Sequence, residues 1–259
     1  MFKRAAALGS PLALPGLILL FWGLAARFHL VNPYLIPSPG RVAATALQLL
    51  RGGELGRHIG VSLLRVAGGY GVSVFAALPL AFLFHQCPAL KPWFQGVFAF
   101  LRAVPPLAVI PLLILWFGLG EASKRAVIVL ATFFPVFLNA LSGFDAIDRR
   151  WFELAESLEL SFFRRLWYIL LPGAFPHISA GLRLGFGYAW RSLLGAELFA
   201  SASGLGYLIS DAQEMARIDQ AFVGIITIGA MGILFDALFH LAHRVFSRGQ
   251  EDRTGGIDG

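Results

Sequence analysis

The chain has 259 residues, of which 57% are hydrophobic and only 14% are charged, with a formal net charge of +6. Soluble domains carry about 25% charged residues, so this composition excludes a water-soluble globular protein and indicates an integral membrane protein. The basic residues lie in loops and at the ends of apolar segments, as is usual in membrane proteins, and form no continuous patch for nucleic acid. The single cysteine, Cys87, excludes an internal disulfide and cannot form a zinc site alone.

We predict one all-α membrane domain over residues 1–259, a helical bundle with about six transmembrane helices, because about 20 apolar residues span a bilayer. The first span covers residues 11–28. Its apolar run is long for a signal peptide, so we interpret it as an uncleaved span. An external segment follows at residues 30–58, where closely spaced prolines indicate an extended chain and the next residues indicate an amphipathic helix at the membrane surface.

Five further spans are predicted in chain order. They cover residues 61–84, 92–118, 125–141, 175–199 and 221–242. Pro105, Pro106 and Pro111 interrupt the third span, so we predict a broken helix that either lines a transport pathway or forms a simple kink. Six spans place both termini on one side of the membrane, and the distribution of lysine and arginine favours the cytoplasmic side weakly.

Residues 145–172 form a charged island between the fourth and fifth spans, too polar for lipid and too long for a tight turn. Residues 153–158 have helical character. Ser161 is predicted to cap a second helix with its hydroxyl, and Pro172 is predicted to end that helix. Two short helices that meet at a bend form a knob suited to a cleft on another protein; an amphipathic loop lying on the membrane is the alternative.

The island resembles the cytoplasmic coupling loop of ABC importer permeases, which receives force from an ATPase. The positions that match that loop are Glu153, Ala155, Leu158, Leu160, Ser161 and the pair Leu171-Pro172. Leu154 replaces the usual alanine, and Glu159 stands where the family nearly always has glycine. A left-handed backbone at glutamate costs on the order of 1 kcal/mol, so we expect either ordinary backbone angles at the bend or an altered docking geometry.

The resemblance extends beyond the island to the nitrate, taurine and alkanesulfonate uptake group of these permeases. The segments that look like this group lie at residues 35–39, 62–66, 105–112, 116–121, 181–184, 196–198 and 203–207. The resemblance therefore covers most of the chain, in the order and spacing of the group.

The resemblance implies a permease of the bacterial cytoplasmic (inner) membrane that moves a small sulfonate- or nitrate-like anion by alternating access. It implies as partners two copies of an ABC ATPase subunit, a second permease copy in a homodimer, an external substrate-binding protein and membrane lipid, but no nucleic acid. The sequence contains no phosphate-binding loop. We therefore expect ATP and Mg on the partner ATPase, and neither a cofactor, a metal nor a catalytic residue in this chain.

Ionisable side chains inside spans usually face protein or water. Arg183, Trp190 and Glu197 share one face of the fifth span, and Arg183 and Glu197 lie about 21 Å apart along it, too far to pair. These residues either border the transport pathway, where Arg183 attracts an anion, or form buried ties between helices. Asp236 and His240 are four residues apart and can hydrogen-bond within the sixth span.

Two other functions fit a membrane protein. A stand-alone secondary transporter driven by an ion gradient should show inverted repeats and acidic residues near the midplane. An intramembrane enzyme should show convergent histidine, aspartate or serine side chains near one end of the spans. The sequence shows neither pattern, and of the three functions only the ABC interpretation requires a nucleotide-hydrolysing partner.

Overall fold

The computed structural model describes residues 13–254, with their side chains except those of Ala200, His240 and residues 242–254. Every regular element in this part of the chain is helical, which confirms the predicted all-α class. The α-helices, numbered in chain order, are α1 (Ala13–Arg27), α2 (Pro39–Arg51), α3 (Glu54–Gln86), α4 (Lys91–Ala103), α5 (Ile110–Phe117), α6 (Glu121–Asp145), α7 (Arg149–Ser157), α8 (Phe162–Arg165), α9 (Leu171–Ala200), α10 (Leu205–Glu214) and α11 (Ile218–Thr254). Turns of 3₁₀-helix occupy Pro88–Leu90 and Pro106–Val109, and a π-helical turn occupies Leu166–Leu170.

Three of these helices are long and apolar enough to cross a membrane: α3, α6, and α11 over Ile218–Phe239. A fourth crossing results if α4 and α5 are counted as one bent span. Helix α1 is apolar but only 15 residues long, and residues 11 and 12 of the predicted first span lie outside the described part. Helix α9 is 30 residues long, but its glycines, prolines and charged side chains lower its hydropathy. The predicted count of six spans includes both α1 and α9.

The external segment predicted at residues 30–58 contains α2 and the first turn of α3. Ser38 is the N-cap residue before α2, and its hydroxyl accepts a hydrogen bond from the backbone N–H of Arg41 at 3.3 Å. Gly53, with φ 72°, separates α2 from α3, so α3 begins at Glu54. The helix is therefore longer than the span predicted within it at residues 61–84.

Helices α6 and α9 approach each other closely where glycine removes a side chain. A Cβ on Gly181 would lie 2.6 Å from Cβ of Asn139, and one on Gly185 would lie 2.7 Å from Cγ2 of Val136. Such small-residue contacts let helix backbones pack in a membrane without a hydrophobic driving force. Helix α3 packs on α6 in the same way at Gly69, and the three helices form the centre of the bundle.

The third span is broken at Val104 and Pro105, which lie between α4 and the following 3₁₀ turn. The two halves, Pro88–Ala103 and Pro106–Phe117, meet at 83°. The 3₁₀ turn packs against α9, where a Cβ on Gly195 would lie 2.2 Å from Cδ2 of Leu107. The break is therefore a sharp corner held by α9, well beyond the bend of an ordinary proline kink.

The bundle has two polar ends. Arg65, near the start of α3, contacts Glu121 at the start of α6, whereas His85, near the end of α3, contacts Asp145 at the end of α6. Arg65 and His85 are 20 residues apart on one helix, or about 30 Å, which matches the thickness of a hydrocarbon core. We call the end with Asp145 the coupling end and the end with Arg65 the opposite end.

Candidate functional site

Residues 145–172, here the coupling segment, form two short helices that meet at a bend. Asp148 is the N-cap residue before α7, and its carboxylate accepts a hydrogen bond from the backbone N–H of Arg150 at 2.9 Å. This capping bond satisfies one of the free donors at the helix start. Helix α7 ends at Ser157, and α8 begins after Ser161.

The bend lies at Glu159, whose φ is 49°. The N–H of Glu159 donates to the carbonyl of Glu156 at 3.0 Å, and the N–H of Leu160 donates to the carbonyl of Ala155 at 2.9 Å. This pair of bonds defines a Schellman motif with a left-handed residue after the helix, where glycine is usual. Of the two alternatives for this bend, ordinary backbone angles are therefore excluded. Glutamate adopts the left-handed angle because the two hydrogen bonds hold the chain there.

Replacing Glu159 by glycine should stabilise the protein, because glycine adopts a positive φ without the steric penalty. We expect the free energy of unfolding of Glu159→Gly, measured by denaturant titration in detergent, to rise by about 1 kcal/mol. The matched control is Glu156→Gly inside α7, which should lower it by about 1 kcal/mol, since glycine weakens a helix interior. A loss of stability in both variants would contradict the strained bend.

Two predictions about the second helix are wrong in detail. Ser161 occupies the residue before α8, but among the described atoms its hydroxyl makes no capping bond. Pro172 does not end the helix, because the chain continues through the π-helical turn directly into α9. In that turn the N–H of Leu171 donates to the carbonyl of Leu166, five residues back. This turn is one residue wider than an α-helical turn. It comes immediately before Pro172, which has no backbone N–H to donate, and the helix continues past the proline.

The coupling segment has an inner face that contacts the bundle. Ala155 is 1% exposed. The ring of Phe152 lies 6.2 Å from that of His85 and 5.1 Å below the guanidinium of Arg165, and the ring of Phe162 lies 6.0 Å from that of Phe82. His85 and Phe82 both belong to α3, so both short helices rest on the end of one long helix.

The outer face of the coupling segment is apolar and exposed. Its exposed large side chains are Trp151, Leu154, Leu158, Phe163, Trp167 and Tyr168. Glu153 is also exposed, and among the described side chains it forms an ion pair with the exposed Arg149, at 3.3 Å. Since large exposed apolar patches mark sites of protein or membrane interaction, this face is the candidate docking surface.

Asp145 anchors the coupling segment to two other helices. Its carboxylate lies 2.9 Å from Nδ1 of His85 on α3 and 2.5 Å from Nζ of Lys91 on α4. Helices α3, α4 and α6 are therefore joined at the residue where the coupling segment begins.

At the opposite end, Glu197 lies at the centre of a buried polar network. Its side chain is 0% exposed. One oxygen accepts a hydrogen bond from Nη1 of Arg65 at 2.8 Å, the other accepts one from the N–H of Gly206 at 3.0 Å, and the hydroxyl of Ser62 lies 2.9 Å from both. These contacts join α9 to α3 and α10.

Arg65 extends this network to α6. Its Nε and Nη2 donate to the two oxygens of Glu121, at 2.8 and 2.6 Å, which is the bidentate geometry of a strong charge-assisted pair. Lys124 lies 3.2 Å from the same carboxylate. Two cations thus face two carboxylates, Glu121 and Glu197, and the charges of the network balance.

The network also fixes the short connection between α9 and α10. The carbonyl of Ser203 accepts a hydrogen bond from Arg65. The N–H of Gly204 donates to Nδ1 of His58 at 3.0 Å, and the N–H of Leu205 donates to the hydroxyl of Ser62 at 2.9 Å. These three contacts tie the connection and the start of α10 to α3.

The other two residues of the predicted face contact α11. Arg183 donates to Asp236 at 2.7 Å, and Nε1 of Trp190 donates to the carbonyl of Ile228 at 3.3 Å. Both contacts join α9 to α11, but 43% of the Arg183 side chain and 56% of the Asp236 side chain are exposed, so this pair is not a buried tie. Arg183 and Glu197 reach different partners, as their separation requires. The predicted bond between Asp236 and His240 concerns a side chain, His240, outside the described part.

Sequence reasoning missed Arg65 as the partner of Glu197. Arg65 lies inside the predicted second span, 61–84, and an arginine within a span needs an anionic or aqueous partner. That rule would have singled it out. Its specific partners, Glu121 and Glu197, lie 56 and 132 residues away in the chain and are apparent only from the fold.

Comparison with known proteins gives consistent matches over most of the chain. The family described as binding-protein-dependent transport system inner membrane component matches residues 69–251. The chain is 36% identical over 233 residues to the putative aliphatic sulfonates transport permease protein SsuC of Bacillus subtilis (strain 168), covering 90% of this chain and 84% of that protein. It is 33% identical over 224 residues to the taurine transport system permease protein TauC of Escherichia coli (strain K12), covering 85% and 82%.

Proposed function

Because the chain belongs to the family of inner membrane components of binding-protein-dependent transport systems, and is thus an ABC importer permease, we propose that the coupling segment docks it to the ATPase. The observation that carries this proposal is the two-sided structure of the segment. Its inner face rests on α3, and its outer face exposes large apolar side chains. A surface of this kind suits a cleft on a partner protein.

The partners follow from the kind of transporter. An ABC permease works with an ATPase and a substrate-binding protein. We propose two ATPase copies, which carry ATP and Mg, and a homodimer of this permease, so that two coupling segments move together. The family membership disfavours a stand-alone transporter driven by an ion gradient.

The proposed substrate is a small organic sulfonate. Its support is the function of the relatives, which are permeases for aliphatic sulfonates and taurine. Substrate binding would begin at the external binding protein, and alternating access of the permease would carry the anion inward.

The proposed route of force runs from the outer face of the coupling segment to α3, α4 and α6. Phe152 and Phe162 rest on α3, and Asp145 joins the ends of α3 and α6 to the start of α4. Since these helices share this anchor, closure of the ATPase subunits would move them as a group.

A charge reversal on the outer face tests the docking role. Glu153→Lys should lower ATP-driven uptake of a sulfonate, and recovery of the ATPase on purification, by at least about tenfold, the equivalent of 1.4 kcal/mol of contact. Folding should not change, because an exposed ion pair such as Arg149–Glu153 contributes little to stability. Membrane insertion and thermal stability of the variant are measured alongside.

The matched control is Glu214→Lys, the same change at an exposed glutamate of α10, on the other side of the bundle. This variant should retain uptake and the ATPase. Normal uptake in a correctly inserted Glu153→Lys protein would remove that residue from the docking surface. Purification of the wild-type chain without an ATPase, even after mild crosslinking, would contradict the coupling role as a whole.

A further inference from the structure

A cleft of about 330 Å³ lies between α4 and the ends of α3 and α6. One side of it is apolar, with Phe84 from α3, Phe98 from α4, and Phe137 and Leu138 from α6. Phe98 contacts both Phe84 and Phe137, at ring distances of 5.5 and 5.3 Å. Packed aromatic rings therefore line the apolar part of the cleft. Its volume falls within the usual range of small-ligand sites.

The lining from α4 also includes polar and cationic side chains. Lys91, Gln95 and Arg102 line the cleft from α4. In chain order, Lys91, Gln95, Phe98 and Arg102 are separated by four, three and four residues, so their side chains lie on one face of α4. Lys91 lies at the mouth, where it pairs with Asp145.

Arg102 carries the unbalanced charge of the cleft. It lies 11 residues beyond Lys91 on α4, or about 16 Å farther along the helix. Since Phe98 contacts Phe134 and Phe137, α4 runs from the coupling end back along α6, and Arg102 lies at membrane depth. No described side chain forms an ion pair with it. An arginine at such depth normally faces a partner or water-filled space.

The lining selects a ligand with two parts. A guanidinium offers a planar fork of donors that suits an oxyanion, and the aromatic lining suits a short hydrocarbon tail. An inorganic anion such as nitrate would leave the apolar side without a contact. The chemistry therefore fits a small anion with an alkyl chain.

We propose that this cleft is a substrate site of the permease, which binds a linear alkanesulfonate on its way to the coupling end. The sulfonate lies on Arg102, and the alkyl chain lies along Phe84, Phe98 and Phe137. This inference rests on the proposed sulfonate transport and adds to it a selective site in the permease, besides any selection by an external binding protein.

Equilibrium dialysis tests the site directly. The permease with its ATPase is placed in nanodiscs of phosphatidylcholine without nucleotide, and binding of 1-hexanesulfonate and 1-butanesulfonate is measured. The longer chain should bind roughly tenfold more tightly, because each buried methylene contributes about 0.8 kcal/mol. Arg102→Gln should weaken binding of 1-hexanesulfonate by at least about tenfold, as expected for one charge-assisted hydrogen bond.

The matched control is Arg51→Gln, an exposed arginine at the end of α2, which should bind like the wild type. Equal binding to Arg102→Gln and wild type, or no binding to wild type, would overturn the site. Displacement of the sulfonate by phosphatidylglycerol in the nanodiscs, in wild type but not in Arg102→Gln, would show that the cleft holds a lipid headgroup and would overturn it too.

Recovery of the ATPase is scored separately in every preparation. Failure of the ATPase to co-purify would count against the proposed coupling function, and the dialysis can then be repeated on the permease alone. Normal coupling with no sulfonate binding would count against the cleft alone.

Discussion

Arg65→Gln should lower the free energy of unfolding by about 3–5 kcal/mol, the range for breaking a buried charge pair from one side. The cause is the carboxylate of Glu197, whose side chain is 0% exposed and has Arg65 as its cation. With Arg65 removed, that carboxylate keeps only the hydroxyl of Ser62 and the N–H of Gly206. The measurement is denaturant unfolding in detergent micelles.

The matched control removes the other carboxylate that Arg65 holds. Glu121→Gln also removes one charge of the network, of opposite sign, but the side chain of Glu121 is 46% exposed, so water can replace part of the lost interaction. We expect a smaller loss than for Arg65→Gln, because Arg65 keeps Glu197 as its counter-ion and the side chain at position 121 remains partly in water. Equal losses in the two variants would show that burial of Glu197 does not determine the energetics of the network.

A double variant distinguishes two causes of destabilisation: the loss of the attraction between the two charges, and the burial of one charge without its partner. Arg65→Gln with Glu197→Gln removes both buried charges, and replacing a complete buried pair is often close to neutral. The double variant should therefore be more stable than Arg65→Gln alone. A double variant that loses the sum of the single effects would contradict this account, since residues in contact are not expected to be additive.

The network and the coupling segment are related by the helices that they share. Both contact α3 and α6, at points about 30 Å apart along α3. In an alternating-access cycle driven at the coupling end, we expect these ties to keep the opposite end of the helices together as a unit.

The sequence predicted those features whose signal lies in a continuous stretch. The apolar spans follow from composition, and the break in the third span follows from the prolines near residue 105. The two helices of the coupling segment also follow from local pattern. Each of these depends on neighbours a few residues away.

The features that the sequence did not predict depend on distant partners or on unusual backbone geometry. Glu197 was singled out as an intramembrane charge, but its partner Arg65 is 132 residues away. Pro172 breaks a standard helix, yet the π-helical turn before it accommodates it. Glu159 adopts an angle that its own preferences disfavour, because the Schellman hydrogen bonds outweigh them.

Gly204→Ala should damage the same network through the backbone. Gly204 has φ 110° and ψ 172°, a region essentially restricted to glycine, where another residue costs about 1–3 kcal/mol. A Cβ there would also lie 2.2–2.5 Å from the carboxylate of Glu197. The carboxylate must then move away from Arg65 and Gly206, which weakens buried hydrogen bonds worth about 1–3 kcal/mol each.

Gly118→Ala separates the two effects. Gly118 has nearly the same backbone, with φ 75° and ψ −179°, but no described heavy atom would meet its Cβ within 4 Å. It should therefore show the backbone strain alone, whereas Gly204→Ala should lose at least about 2 kcal/mol more in denaturant unfolding. If the two variants lose equal stability, the loop between α9 and α10 can retreat from Glu197 freely, and the network does not hold that loop in place. If the excess appears in Gly204→Ala but disappears when Glu197 is also replaced by alanine, the carboxylate is the group that the new methyl displaces.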